Sequence, residues 1–183
     1  VCHSMMGAGV IPHDDPLNLG MVGMHGTVAA NLAVDRCDLL LAVGVRFPDR
    51  VALNPGKFAH SAKIIHIDAD RSELNKNVKV EMALRCDLKQ ALSAIAEKVK
   101  GSLHPKWLEE IRGWQEECAF LPAADDALEP RSLIERISKL SGPEAIYVTD
   151  VGQHQMWAAQ FLHHTEPKRF ITSGGLGTMG FGY

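Results

Sequence analysis

Two short apolar runs, each ending in residues suited to hold a polar ligand, constrain this chain more than anything else in it. Leu39–Val43 is continuous and apolar without alternation, the pattern of a strand covered on both faces in a parallel sheet between helix layers. Gly44 ends it, and Arg46 lies just beyond. Residues 63–67 repeat the pattern but end in acids, Asp68 and Asp70. In open α/β sheets ligands gather outside the carboxyl ends of strands, so one tip offers a cation for a phosphate and the next offers carboxylates for hydroxyls. That is the chemistry of a dinucleotide site, here without the usual glycine fingerprint. The fold expected is α/β, a doubly wound, Rossmann-like parallel sheet followed by the start of a second α/β domain.

The rest of the chain supplies the partners of those strands. A strand over 1–9 leads into a tight Gly7-Ala-Gly9 loop, a Pro/Asp/Asn-rich connection fills 11–20, and an amphipathic run over 27–34 predicts a helix. Residues 46–57 read as a loop with Asn54-Pro-Gly56 turn chemistry, 71–77 as one or two helical turns, and 78–85 as a short strand. Asp87 is a good N-cap for a helix through Lys100, with Leu88, Ala91, Leu92, Ile95 and Val99 on one packing face. A helix over 105–120 packs Trp107, Leu108, Ile111 and Trp114. The stretch 121–130, with two prolines and no periodicity, reads as a linker. Beyond it a helix (131–140), strand (145–149), helix (153–162) and strand (169–172) restart the α/β rhythm. The division expected is therefore 1–121, a linker at 122–130, and 131–183.

Charge and composition exclude several functions. A net charge of −3 and a pI near 6.3 leave no basic face for nucleic acid or an anionic membrane, and no apolar run reaches the length of a bilayer span. Four cysteines without a C-x-x-C spacing suit free thiols, and nine histidines without ligand spacing argue against a metal held by this chain alone. The chain opens on valine and stops inside a glycine-rich stretch, which reads as an internal piece of a longer polypeptide. Nucleophile-elbow and Walker motifs are missing, so any chemistry must come from a bound cofactor.

Two segments suit cofactor binding. Asp150-Val-Gly-Gln-His-Gln155 stands where a strand hands over to a helix, so backbone N–H groups and the helix dipole face one point; an ordinary polar capping turn explains it equally well. The segment 173–182 carries five glycines in ten residues, a costly composition for a passive turn, with Met179 placed to pack against a flat ring. His25 lacks a second ligand at helical spacing. His163 and His164 read as a solvated helix end, Asp14-Asp15 and Asp125-Asp126 as surface turns, and Trp107 and Trp114 as core.

Taken together, Gly20-Met-Val-Gly-Met-His-Gly26, the stretch 38–47 with Asp49-Arg-Val51, Ile65-His-Ile-Asp68, and the blocks 151–160 and 172–180 resemble the acetohydroxyacid synthase (acetolactate synthase) catalytic-subunit family of thiamine-diphosphate enzymes. The resemblance implies a central FAD-binding domain and the front of a thiamine-diphosphate-binding one. It implies FAD contacts at Met6, Val22, Gly23, Met24, His25, Gly26, Gly44, Arg46, Arg50, Val51, Asp68, Asp87 and Leu88. Thiamine diphosphate is implied at Val151, Gly152, Gln153 and His154 on the diphosphate side, and at Gly177 and Met179 around the pyrimidine. No catalytic residue and no metal ligand falls in this stretch: the family's activating glutamate belongs to a preceding domain, and its Mg2+ element lies beyond Tyr183.

The implied reaction condenses two 2-oxo acids with loss of carbon dioxide, in branched-chain amino acid biosynthesis. A homodimer with shared active sites and a small regulatory subunit are implied too, in the cytoplasm of a bacterium or an organelle of a eukaryote. This stretch alone is expected to be inactive. It departs from the family at Pro48, where an acid is usual and an N–H is lost. Two other readings compete: a related carboligase or 2-oxo acid decarboxylase, and a non-catalytic flavin or dinucleotide module. The second leaves the segments at 150–182 without a purpose.

Overall fold

The computed structural model describes residues 1–118 and 129–183. The expected linker at 121–130 and the Asp125-Asp126 turn lie almost wholly outside the described residues. Two compact units form: Val1–Ala30 with Cys118–Tyr183, and Asn31–Glu117. Helix α1, Val28–Arg36, carries the chain from one to the other. It starts at Thr27, whose hydroxyl accepts the Ala30 N–H at 3.1 Å and donates to the Leu19 carbonyl at 2.6 Å.

The Asn31–Glu117 unit holds a parallel sheet in the order β1-β2-β3, from β1 (Leu39–Val43), β2 (Lys63–Asp68) and β3 (Met82–Arg85). The register pairs Val43 with Ile67 and Asp68 with Arg85, so the three strands end at one edge. Ala42, Ile64 and Ile67 are buried, as are Phe47, Ala52 and Val78 from the loops that follow the strands. β1 is not covered on both faces: Leu39 and Leu41 remain 54% and 41% exposed, and Met82 on β3 lies in register across the same face at 49%. Continuous hydrophobicity therefore marks this strand, but the Leu39–Leu41 face is covered only toward its C-terminal end, where Val43 is half-buried and Ile67, in register with it, is fully buried.

Asp87 caps α2 (Leu88–Lys98) as its sequence position demands, accepting the Gln90 N–H at 2.9 Å. The helix stops two residues early, because Val99 turns extended. The packing face expected of α2 is thinner than its periodicity implies: Leu88, Ala91 and Ile95 are half-buried, while Leu92 and Val99 are exposed. α3 (Pro105–Glu117) buries Ile111 and Trp114, with Trp107 edge-on to Trp114 at 5.6 Å.

In the other unit, α4 (Pro130–Ser141), β4 (Tyr147–Thr149), α5 (Gln153–Phe161) and β5 (Phe170–Thr172) follow the expected alternation, and β4 and β5 pair in parallel. Ala158, Ala159 and Leu162 pack with Phe170, Ala8 and Met21 into its core. The strand expected over 1–9 is absent. A single bridge joins His3 to Met21, and a 3-10 turn at Met5–Gly7, closed by the Gly7 N–H on the Ser4 carbonyl at 2.9 Å, bends the chain before a ladder extends.

Candidate cofactor site

The residues expected to meet flavin divide between the two units. Gly44, Arg46, Arg50, Val51, Asp68, Asp87 and Leu88 belong to the Asn31–Glu117 unit; Met6, Val22, Gly23, Met24, His25 and Gly26 belong to the other, together with every thiamine-diphosphate candidate.

At the first edge the parallel register brings Gly44, Asp68 and Asp87 to neighbouring strand ends. Gly44 has φ +62°, where a side chain is strained, and a Cβ there would stand 2.9 Å from Leu88 Cδ1, so glycine eases both the turn and its packing. Its N–H continues the ladder to the Ile67 carbonyl at 2.8 Å. Asp68 is almost buried: Oδ1 accepts the Asp70 N–H at 2.8 Å, and Oδ2 lies 3.8 Å from Nε2 of the fully buried His66. Arg46 and Arg50 are exposed beyond the tip. Phe47 sits between them and the sheet with φ +47°, its ring edge-on to Phe58 and His66. Asn77 holds that strained turn, donating to the carbonyls of Arg46 and Phe47 at 3.0 Å each. Nothing local to 46–47 announces Asn77, which lies some 30 residues on. The Pro48 carbonyl accepts the N–H groups of Val51 and Ala52 at 2.9 and 2.8 Å.

In the other unit, Gly23-Met-His-Gly26 forms a tight turn. The Gly26 N–H bonds the Gly23 carbonyl at 2.9 Å, the Thr27 N–H bonds the Met21 carbonyl at 2.9 Å, and Gly23 takes φ +111°. A Cβ on Gly26 would be driven into the Met21 carbonyl. Gln160, near the end of α5, donates to the His25 carbonyl at 2.7 Å.

The start of α5 is shaped by Gly152, at φ +150°, whose carbonyl accepts the Gln155 N–H at 3.1 Å. The His154 ring lies over Gly152, 3.1 Å from where a Cβ would sit. Buried Gln155 donates to Thr172 Oγ1 at 2.6 Å, and Thr149 donates to the same oxygen at 2.8 Å. Those two bonds tie α5 to the ends of both strands. Asp150 does not cap an N–H of α5: its carboxylate accepts the Val151 N–H at 2.8 Å, just before the helix, and the Gly180 N–H at 2.9 and 3.1 Å. These amide bonds hold its pKa below the ordinary carboxylate value. The first N–H groups of α5 are thus left without a side-chain cap, and the glycine-rich segment is pinned beside them. A Cβ on Gly182 would meet the Asp150 nitrogen at 2.7 Å, so at least one glycine serves close approach to the protein's own backbone. Gly177 takes φ +64°, and Met179 is exposed.

Of His163 and His164, expected as a solvated helix end, His163 is exposed and His164 is buried. His163 stacks on His13 with centroids 4.2 Å apart, and His164 is only 5% exposed. Leu162 and His164 point inward on the extended segment after α5, and burial, with His3 and His13 nearby, lowers the His164 pKa to about 4. His164 lines a cavity of about 190 Å3 with His3, His13, His25, Thr27 and Gln160. Among the described residues no group of His, Cys, Asp or Glu is placed to hold a metal ion, and no disulfide joins the four cysteines. No helix among them is long and apolar enough to cross a membrane.

Parallel sheets with ligand-competent strand ends, and a helix start prepared for an anion, define the class as a cofactor-binding α/β protein. The chain belongs to the thiamine pyrophosphate enzyme family: residues 1–95 match the model described as "Thiamine pyrophosphate enzyme, central domain", and 150–183 match its C-terminal TPP binding domain. It is 43% identical to acetolactate synthase 1, chloroplastic, of Zea mays over 100% of this chain, and 43% identical to the acetolactate synthase large subunit of Parasynechococcus marenigrum over 100%. It is likewise 43% identical to the acetolactate synthase isozyme 2 large subunit of Escherichia coli over 98%. The chain spans about 30% of the length of these relatives.

Proposed function

We propose that this chain is the flavin- and thiamine-diphosphate-binding part of an acetolactate synthase large subunit, which condenses pyruvate with pyruvate or 2-oxobutyrate and releases carbon dioxide. The observation that carries the reading is the α5 start: a glycine-opened helix N-terminus beside a pinned glycine-rich segment, in a chain aligned throughout with acetolactate synthases. In this reading residues 1–121 are the central domain, 122–130 the linker, and 131–183 the front of the cofactor domain.

The residues present fit the cofactor. The first N–H groups of α5 have no i−4 acceptor of their own, and the Asp150 carboxylate near them is already bonded to Val151 and Gly180. Val151, Gly152, Gln153 and His154 would meet the diphosphate, with Gln153 and His154 adding side-chain donors, and Gly177 and Met179 would lie around the pyrimidine. When bound, thiamine diphosphate supplies the electron sink for decarboxylation and carbon–carbon bond formation. This chain's own part is to orient it, through the Gln155–Thr172–Thr149 bonds that set the pitch of α5, and to lend the helix dipole to its phosphates.

The residues that would hold FAD, each set taken within its own unit, are Gly44, Arg46, Arg50, Val51, Asp68, Asp87 and Leu88 in Asn31–Glu117, and Met6, Val22, Gly23, Met24, His25 and Gly26 in the other unit. The parallel register that brings Gly44, Asp68 and Asp87 to neighbouring strand ends supports the first set. In this reading no Mg2+ ligand is assigned among the described residues. The subunit works as a homodimer with a small regulatory subunit. The test is acetolactate formation from pyruvate by the full-length polypeptide with Mg2+ and FAD, with and without thiamine diphosphate. Turnover unaffected by omitting that cofactor from fully stripped protein would falsify the reading.

A further inference from the structure

We infer that Gln160 is a positioning residue that couples the two candidate cofactor sites, so that flavin and thiamine diphosphate each strengthen the binding of the other. The inference rests on the two-cofactor reading above. Gln160 and the diphosphate-facing Gln153 share one short helix, about two turns apart. At its far end Gln160 donates to the His25 carbonyl at 2.7 Å, across a sequence separation of 135. That carbonyl belongs to a turn closed by two backbone bonds and a left-handed glycine, so the turn moves as a body. At its near end the helix is fastened through Gln155 to β5.

A second contact runs parallel to the first. Gly174, in the glycine-rich segment, is packed so closely by Met6 that a Cβ would lie 2.5 Å from its sulfur. Met6 and His25 are flavin-side residues; Gly174 and α5 belong to the diphosphate side. A flavin that orders Met6 and the 23–26 turn thereby removes freedom that the second cofactor must otherwise remove itself, and linkage makes the effect reciprocal.

The test titrates FAD by quenching of its fluorescence into the cofactor-stripped full-length polypeptide, with and without saturating thiamine diphosphate and Mg2+. The expected result is an FAD Kd about fivefold lower when thiamine diphosphate is present. Gln160→Leu, which removes the donor at similar volume, brings that ratio to about one while the melting temperature of the stripped protein holds. Gly174→Ala displaces only the flexible end of Met6 and lowers the ratio without touching Gln160. A ratio of one in the unsubstituted protein, or an undiminished ratio in Gln160→Leu, overturns the coupling. Failure to bind one of the two cofactors at all overturns the two-cofactor reading with it, whereas tight but independent binding of both overturns the coupling alone.

Discussion

Thr172 is the knot that fastens α5 to the sheet, and replacing it with valine isolates what the knot contributes. The side chain is 4% exposed and its oxygen accepts from both Gln155 Nε2, at 2.6 Å, and Thr149 Oγ1, at 2.8 Å. Valine keeps the shape but strands two donors, one on a glutamine only 3% exposed. Each lost bond costs about 1 kcal/mol, and the unsatisfied buried amide adds ~1–2 kcal/mol, so Thr172→Val should destabilise this region by roughly 3 kcal/mol. Gln155→Leu removes one donor and leaves Thr172 still bonded to Thr149, costing about 1–2 kcal/mol. The double variant removes donor and acceptor together, so its cost should fall short of the sum by ~1 kcal/mol or more. Amide exchange of peptides covering α5, read by mass spectrometry, measures the local opening free energy of all four proteins. Additivity within about 0.3 kcal/mol would show that Gln155 and Thr172 do not share a bond, and the account of how α5 is aimed would fail.

Three further outcomes follow from the geometry. Gly26→Ala forces a Cβ into the Met21 carbonyl and should cost about 3 kcal/mol or more, seen as a lower melting temperature and weaker flavin retention; a neutral substitution refutes the turn as described. His164 is buried neutral with a pKa of about 4, below its unfolded value of about 6.5, so its unfolded form binds the proton more readily. Stability is therefore full above pH ~6.5 and falls as pH drops toward 4, and His164→Phe should flatten urea-unfolding midpoints across that window. Asp150, held below the ordinary carboxylate value by its amide bonds, stabilises the glycine-rich segment above pH ~4 and loses that hold as pH falls through its lower folded value. Asp150→Asn should speed exchange of the Gly180 amide at neutral pH, and unchanged exchange removes Asp150 from the role of tether.

What could be read in advance was local. The apolar runs at β1 and β2, the Asp87 cap and the strand-to-helix handover at 150–153 each depend on neighbours within a few residues, and the structure builds each of them. The parallel pairing of the strands followed from their composition. What escaped was held by distant partners. Asn77 clamps Arg46 and Phe47 from some 30 residues away, and Gln160 reaches His25 across 135, with no spacing rule to advertise either. Histidine at 164 looked solvated because polar residues after a helix usually are; the Phe170 ring and the His3–His13 side of the cavity bury it instead. Apolar periodicity overstated burial in α2 and β1, because hydrophobicity records what a face tolerates rather than what packs on it.

The partly open face of the β1–β3 sheet has a practical corollary. Leu39, Leu41, Met82 and Leu84 form a greasy plane flanked by two strand edges open to pairing, which is the usual recipe for intermolecular sticking. A recombinant Asn31–Glu117 piece should therefore enter inclusion bodies or elute as oligomers, and lysines at positions 39 and 82 should return it to the soluble fraction.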